Sequence, residues 1–270
     1  MKNVTRLFAG AMIGAALMAS IGTAMAADLG GYRGASTKDD YYERPVWSWT
    51  GFYAGINAGY VWGGNSDVDT IGQVQVNINN VNGGARPGRV GLDQEGFIGG
   101  AQIGYNWQSR GIVFGVEADI SFTDRDDNLR VTTTALNGVS RLNNDFRSRL
   151  DYLGTVRGRV GVAFDRTLLF VTAGLAYGEV SNGADFFGPA NQLQFTGQKS
   201  GVETGYVVGG GVEHAFSANW TLKGEYLYFD LGKQTVGVNV VPGSGGGGTG
   251  YDSRFENDGH ILRAGLNYRF

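Results

Sequence analysis

Residues 95–122 read EGFIGGAQIGYNWQSRGIVFGVEADISF. Two alternating runs meet across a short break. In the first, Phe97, Gly99, Ala101, Ile103, Tyr105 and Trp107 alternate with Gln102, Gly104 and Asn106. In the second, Ile112, Phe114, Val116, Ala118, Ile120 and Phe122 alternate with Glu117, Asp119 and Ser121. A period of two is the β signature, with one apolar and one polar face. Only Gln108-Ser109-Arg110 separates the runs, so they form an antiparallel hairpin. Each run is about as long as a tilted strand needs to be to cross a bilayer, and longer than the ~5–6 residues common in globular sheets.

The same pattern recurs along the chain. Strands are predicted over residues 51–63, 149–164, 167–178, 202–214, 220–229 and 260–270, which makes eight with the first pair. Their connections alternate strictly in length. Gln108-Ser109-Arg110, Asp165-Arg166 and Ala215–Asn219 are short; residues 64–94, 123–148, 179–201 and 230–259 are long. Antiparallel strands visit two ends in turn, so every long connection falls at one end. Short periplasmic turns and long extracellular loops are the pattern of outer-membrane barrels.

Aromatic residues close both ends of the apolar faces. Phe52, Trp107, Phe164, Trp220 and Phe270 fall near the short-turn end; Trp62, Phe122, Tyr177 and Tyr228 fall near the long-loop end. Two such girdles suit the two membrane interfaces. Unpaired strand edges cannot be satisfied in hydrocarbon, so the sheet must close on itself. The expected fold is therefore all-β: an eight-stranded antiparallel transmembrane barrel with four long extracellular loops, spanning residues 51–270.

The N-terminus reads as an export signal. Lys2 and Arg6 precede the uncharged run Leu7–Ile21, and Ala24-Met25-Ala26 is a small-x-small cleavage site. Cleavage after Ala26 leaves residues 27–50 as an exposed, aperiodic periplasmic segment. It also removes two bases and no acid, taking the net charge from -3 to -5. That balance argues against a nucleic-acid partner. There is no cysteine, so neither disulfides nor lipid attachment through a thiol is available. The mean hydropathy of -0.16 is compatible with a barrel, whose strands show lipid only every second side chain.

Three segments resemble the alphaproteobacterial outer-membrane immunogenic proteins: Trp47–Gly55 (WSWTGFYAG), Gly99–Trp107 (GGAQIGYNW) and Trp220–Asp230 (WTLKGEYLYFD). The resemblance runs from Trp47 to Phe270 with the loops unmatched. It implies an abundant eight-stranded outer-membrane barrel of the kind labelled porin-like or a surface antigen. The end Arg263-x-Gly265-x-x-Tyr268-x-Phe270 resembles the C-terminal sorting signal read by the barrel-assembly machinery.

The inward positions carry Glu117, Asp119, Arg157, Arg159, Glu213, Lys223, Glu225 and Arg263, four acids and four bases. Eight strands leave a bore that side chains can fill, and buried charges are expensive unless paired. A closed salt-bridge plug is therefore expected rather than a conducting path. Glu117 and Asp119 should meet Arg157 and Arg159, while Lys223 and Glu225 approach Glu213 and Arg263.

Other chemistry is not supported. His214 and His260 fall at opposite ends of the barrel, too far apart for one catalytic or metal site. Asp124-x-Asp126-x-Asn128 imitates a calcium loop, but Leu129 and Ala135 stand where glycine and glutamate are required, so it reads as a solvated loop. Gly209-Gly210-Gly211 has no following helix to hold phosphate, and Gly245–Gly248 reads as a mobile tip. No metal or cofactor is expected. The reading is a non-enzymatic envelope barrel with a structural and surface role. Its expected partners are outer-membrane lipid and lipopolysaccharide, the assembly machinery, and host surfaces or antibodies met by the loops. The alternative is a small diffusion channel.

Overall fold

The computed structural model describes residues 47–64 and 67–270. The signal reading (1–26) and most of the periplasmic segment (27–46) lie outside the described residues. The elements in chain order are β1 (Gly51–Gly63), β2 (Asp67–Gly72), α1 (Gln75–Asn82), β3 (Arg89–Gly91), β4 (Glu95–Ser109), β5 (Ile112–Thr123) and β6 (Asp126–Thr134). Then follow β7 (Arg141–Phe164), β8 (Thr167–Phe187), β9 (Leu193–Ala215), β10 (Trp220–Val240) and β11 (Gly250–Arg269).

Eight of these strands close the barrel. The antiparallel order is β1-β4-β5-β7-β8-β9-β10-β11, and β11 returns to β1 over Tyr53↔Arg269 to Gly63↔Gly259. Period two sorts the residues as expected. Ile103, Phe114, Val116, Val156, Val171 and Leu175 are exposed on the outer wall, which in lipid is the favourable side. Arg110 and Asp165 adopt positive φ in two of the short turns, the conformation that matches a tight hairpin to strand twist.

The long connections differ from the sequence reading. They are not irregular loops: β7 to β11 run on for 20–24 residues each, and the span 64–94 holds β2, α1 and β3. Alternation persists here, with Phe146, Phe186, Phe195, Val236, Val238, Tyr251 and Phe255 turned inward into a second apolar core. Burying those rings stabilises the hairpins as sheet. Asp126 and Asn128, expected in a solvated loop, lie in β6 and pair with β7.

Above the bilayer the wall divides into two half-shells. One is β6-β7-β8-β9; the other is β10-β11-β2-β3. Among the described residues β3 pairs only with β2 and β6 only with β7, leaving a seam between them. On the opposite side the β9–β10 ladder skips from Asp230↔Tyr206 to Asn239↔Thr196. The second apolar core fills the space between the half-shells. Arg86 is buried within it, donating to Asn144 Oδ1 at 2.8 Å and Gln194 Oε1 at 3.1 Å, with the Phe186 and Phe195 rings beside its guanidinium. Burial pushes that guanidinium below its ordinary pKa.

Helix α1 (QVNINNVN) is rich in residues of modest helix propensity and has no side-chain N-cap. Tertiary contact holds it. Asn77, fully buried, donates to the Gly247 carbonyl at 2.9 Å and accepts from Gly250 N at 3.3 Å. Residues 245–248, expected to be a mobile tip, are thus packed on the helix. Gly248 has φ +81° and any Cβ there would collide with Asn77, so glycine is required.

This topology predicts a labelling pattern. Single cysteines replacing Asn82 or Val139, both exposed in the head, react with an impermeant maleimide on whole cells. A cysteine replacing Asp165 does not. Labelling only at Asp165→Cys would invert the orientation.

Candidate functional site: a sealed lumen

The inward charges form one network across the bore. Arg157 contacts three carboxylates: Glu117, Asp119 at 3.0 Å and Glu225 at 2.9 Å. Arg263 reaches Asp119 at 2.9 Å and Glu225 at 2.8 Å. Lys223 lies 2.9 Å from Glu117 and 3.0 Å from Glu225. Arg159 pairs with Glu213 at 3.0 Å and approaches Glu117 at 3.7 Å. All eight side chains are at most 3% exposed. Neutral groups complete the shell: Tyr53 donates to Glu117 at 2.6 Å, Asn267 to Glu213 at 2.9 Å, and Thr155 to Asp119.

Two expected pairings are corrected. Lys223 stands opposite Glu213 in the β9–β10 register, yet it crosses the lumen to Glu117 on β5 while Arg159 takes Glu213. Asp119 likewise pairs with Arg157 and Arg263 rather than Arg159. In a narrow bore, groups at one height on opposite walls are as close as register neighbours, and long side chains reach whichever carboxylate needs charge.

Apolar layers close the network from both sides, which the sequence reading missed. On the extracellular side, Val61, Ile98, Leu153, Ala176, Val207, Leu227, Phe229 and Ile261 pack into one inward cluster. On the periplasmic side, Val113, Leu168, Phe170 and Ala215 pack around Trp49. Trp49 was expected in an exposed segment but is 0% exposed. Its backbone N donates to Gln108 Oε1 at 2.6 Å, and Arg269 donates to the carbonyls of Ser48 and Thr50. Trp47 stacks against the Arg269 guanidinium at 4.4 Å. The signal was present in the sequence: inward positions turn apolar near at least one end of each barrel strand, as at Val61, Ile98, Val113, Leu153, Leu168, Val207, Leu227 and Ile261.

Glycine makes one contact of the network possible. The Tyr53 ring lies over Gly104, where any Cβ would collide with it. That clearance lets Tyr53 reach Glu117.

The girdle residues face outward as expected. Phe52, Trp107, Phe122, Phe164, Trp220 and Phe270 are exposed, as is Tyr177 to a lesser degree. Trp62 and Tyr228 are half-buried because they pack around His260. The two histidines stay apart. His214 meets Thr167 near the periplasmic turns, whereas His260 meets Tyr226 at 2.6 Å on the extracellular rim. At the C-terminus, Arg263 belongs to the lumen network, Gly265 lies among Gln102, Ile56 and Lys223, and Tyr268 and Phe270 are exposed on the outer wall.

A closed wall, two aromatic girdles and a filled interior describe a membrane barrel. The chain matches the outer membrane protein beta-barrel domain over residues 13–270. It belongs to that family. It is 36% identical over 234 residues to a 31 kDa outer-membrane immunogenic protein of Brucella melitensis, covering 83% of this chain and 85% of that one. It is 31% identical over 228 residues to a 22 kDa outer membrane protein of Rhizobium leguminosarum, covering 84% and 81%. Among solved structures it is similar to the outer membrane protein OprG from Pseudomonas aeruginosa, with TM-score 0.51 and 15% identity over 82% of this chain and 96% of that one. At that identity the likeness is one of fold. The protein is an outer-membrane β-barrel of a family whose relatives include outer-membrane immunogenic proteins.

Proposed function

We propose that this barrel is a non-conducting, non-enzymatic protein of the cell surface, which reinforces the outer membrane and presents a folded extracellular head. The observation that carries this reading is the layered interior: a neutral salt-bridge network between two apolar layers. An ion entering it would have to cross both layers and unpair buried charges, at about 3–5 kcal/mol for each broken pair. The outward aromatic and aliphatic wall supports a role within lipid and lipopolysaccharide. The head, which extends the strands above the girdle, supports contact with host surfaces or antibodies. The exposed Tyr268 and Phe270 support recognition of the last strand by the barrel-assembly machinery.

The test is electrical. Purified, refolded protein in a planar bilayer is expected to give no steady single-channel steps. Large, stable steps from the unmutated protein would replace this reading with that of a small diffusion channel.

A further inference from the structure

The seam between β3 and β6 leaves a strand edge without a neighbour. β6 pairs with β7 along all nine of its residues, Asp126↔Arg149 to Thr134↔Arg141, and among the described residues has no ladder on its other side. Across the seam the Asp93 backbone N–H donates to the Asp127 carboxylate. At the base Arg125 donates to Gln94; at the top the Thr133 hydroxyl donates to the Ala85 carbonyl at 2.7 Å.

The packing is incomplete on the same side. On β7 the inward residues Leu142, Asn144, Phe146 and Ser148 are all buried. Their neighbours on β6, Asp127, Leu129, Val131 and Thr133, point the same way yet are only half-buried. Val90 on β3, across the seam, is half-buried too. Edges of this kind are normally protected by proline, a bulge or charged side chains, lysine above all; the charges on β6 are Asp126, Asp127 and Arg130, and its two acids favour a basic neighbour. β6 has no proline or lysine, and its ladder with β7 has no register shift.

The charge around the seam is acidic. Asp93, Glu95, Asp124, Asp126 and Asp127 surround its lower half, and none of them is in an ion pair among the described residues. The nearby cations are committed elsewhere. Arg125 is buried, Arg130 is bound to Asp145 at 2.6 Å, and Arg149 to Asp151 at 2.7 Å. Partial burial, together with Asp93 and Asp126 beside it, holds the Asp127 carboxyl above its usual range, against hydrogen bonds that lower it.

We propose that the open edge of β6 is a strand-addition site for an extended, basic segment of another polypeptide, which seats in the seam of the extracellular head. Its backbone takes up the unpaired N–H and C=O groups of β6. Its inward side chains cover Leu129 and Val131, and its basic residues meet the acidic lower half. A second copy of this chain is a poor occupant. Antiparallel pairing of two β6 strands centred on Arg130 sets Arg130 against Arg130, and parallel in-register pairing sets Asp126 and Asp127 against themselves; like charges directly opposite destabilise a pair. The proposal rests on the surface reading above, but its test uses purified protein and does not depend on conductance, so the two can fail separately.

The experiment uses the full protein in lipid nanodiscs and a fluorescent probe peptide, TTTVTVKKK, whose antiparallel register puts valines opposite Leu129 and Val131 and lysines opposite Asp126, Asp127 and Asn128. Saturable binding is expected, with slowed amide exchange confined to residues 126–134. The same peptide N-methylated at every residue has no N–H to donate to β6 from either edge and should bind about tenfold more weakly or worse. Replacing Asp126 and Asp127 with lysine should reverse the preference toward TTTVTVEEE. Equal binding of the N-methylated peptide would reduce the contact to bulk charge and overturn the proposal, and that arm needs no variant protein to fold. Failure of TTTVTVKKK to bind, or protection elsewhere than β6, would overturn it as well.

Discussion

Replacing Arg157 with alanine is expected to lower the stability of the barrel by about 3–5 kcal/mol. Arg157 is the cation shared by Glu117, Asp119 and Glu225. Its removal leaves an excess negative charge enclosed between two apolar layers, where water cannot compensate. The loss should appear as a lower midpoint for the heat-modifiable shift from compact to unfolded mobility on electrophoresis. The same variant should remain closed in a planar bilayer at low voltage, because the apolar layers are untouched. A charge-balanced pair, Arg157→Met with Glu225→Gln, removes one cation and one anion and should recover most of the midpoint, since exchanging a buried ion pair for well-packed neutral groups is often close to neutral. A midpoint for Arg157→Ala equal to that of the unmutated protein would mean that the network is solvated rather than buried.

Trp49→Ala should have an effect of similar size for a different reason. The ring is fully buried among Val113, Leu168, Phe170 and Ala215, and truncating a buried aromatic to alanine costs about 3–5 kcal/mol through lost contact and the cavity left behind. Because Trp49 precedes β1, the damage should be local. Amide exchange should rise at the periplasmic ends of β5, β8 and β9 and leave the head unchanged. Trp49→Phe, which keeps a ring in the site, should restore part of the loss. Uniform exchange across the whole barrel would show that Trp49 does not form a separate periplasmic plug.

The barrel is legible in the sequence. Period-two alternation assigns each residue to lipid or lumen, and hydrocarbon forbids an open edge, so strand length, girdle positions and the alternation of short and long connections follow from local chemistry. The sequence also showed that the eight charges of the network, Glu117 and Arg157 among them, balance four against four. Tertiary structure decided the rest. Which acid each base chooses depends on bore width and on the relative height of opposite walls; this is why Lys223 passes over its register neighbour Glu213 for Glu117. The apolar layers needed the ends of all eight strands brought to common heights before Val61, Leu153 and Leu227 could meet. Residues such as Phe186, Phe195 and Tyr251 looked like loop because only an opposing half-shell gives them something to bury against. Trp49 looked exposed because its pocket is built by β5, β8 and β9, none of them near it in sequence. Alternation is a property of one strand at a time, whereas the plug and the head arise from contacts between strands far apart in the chain.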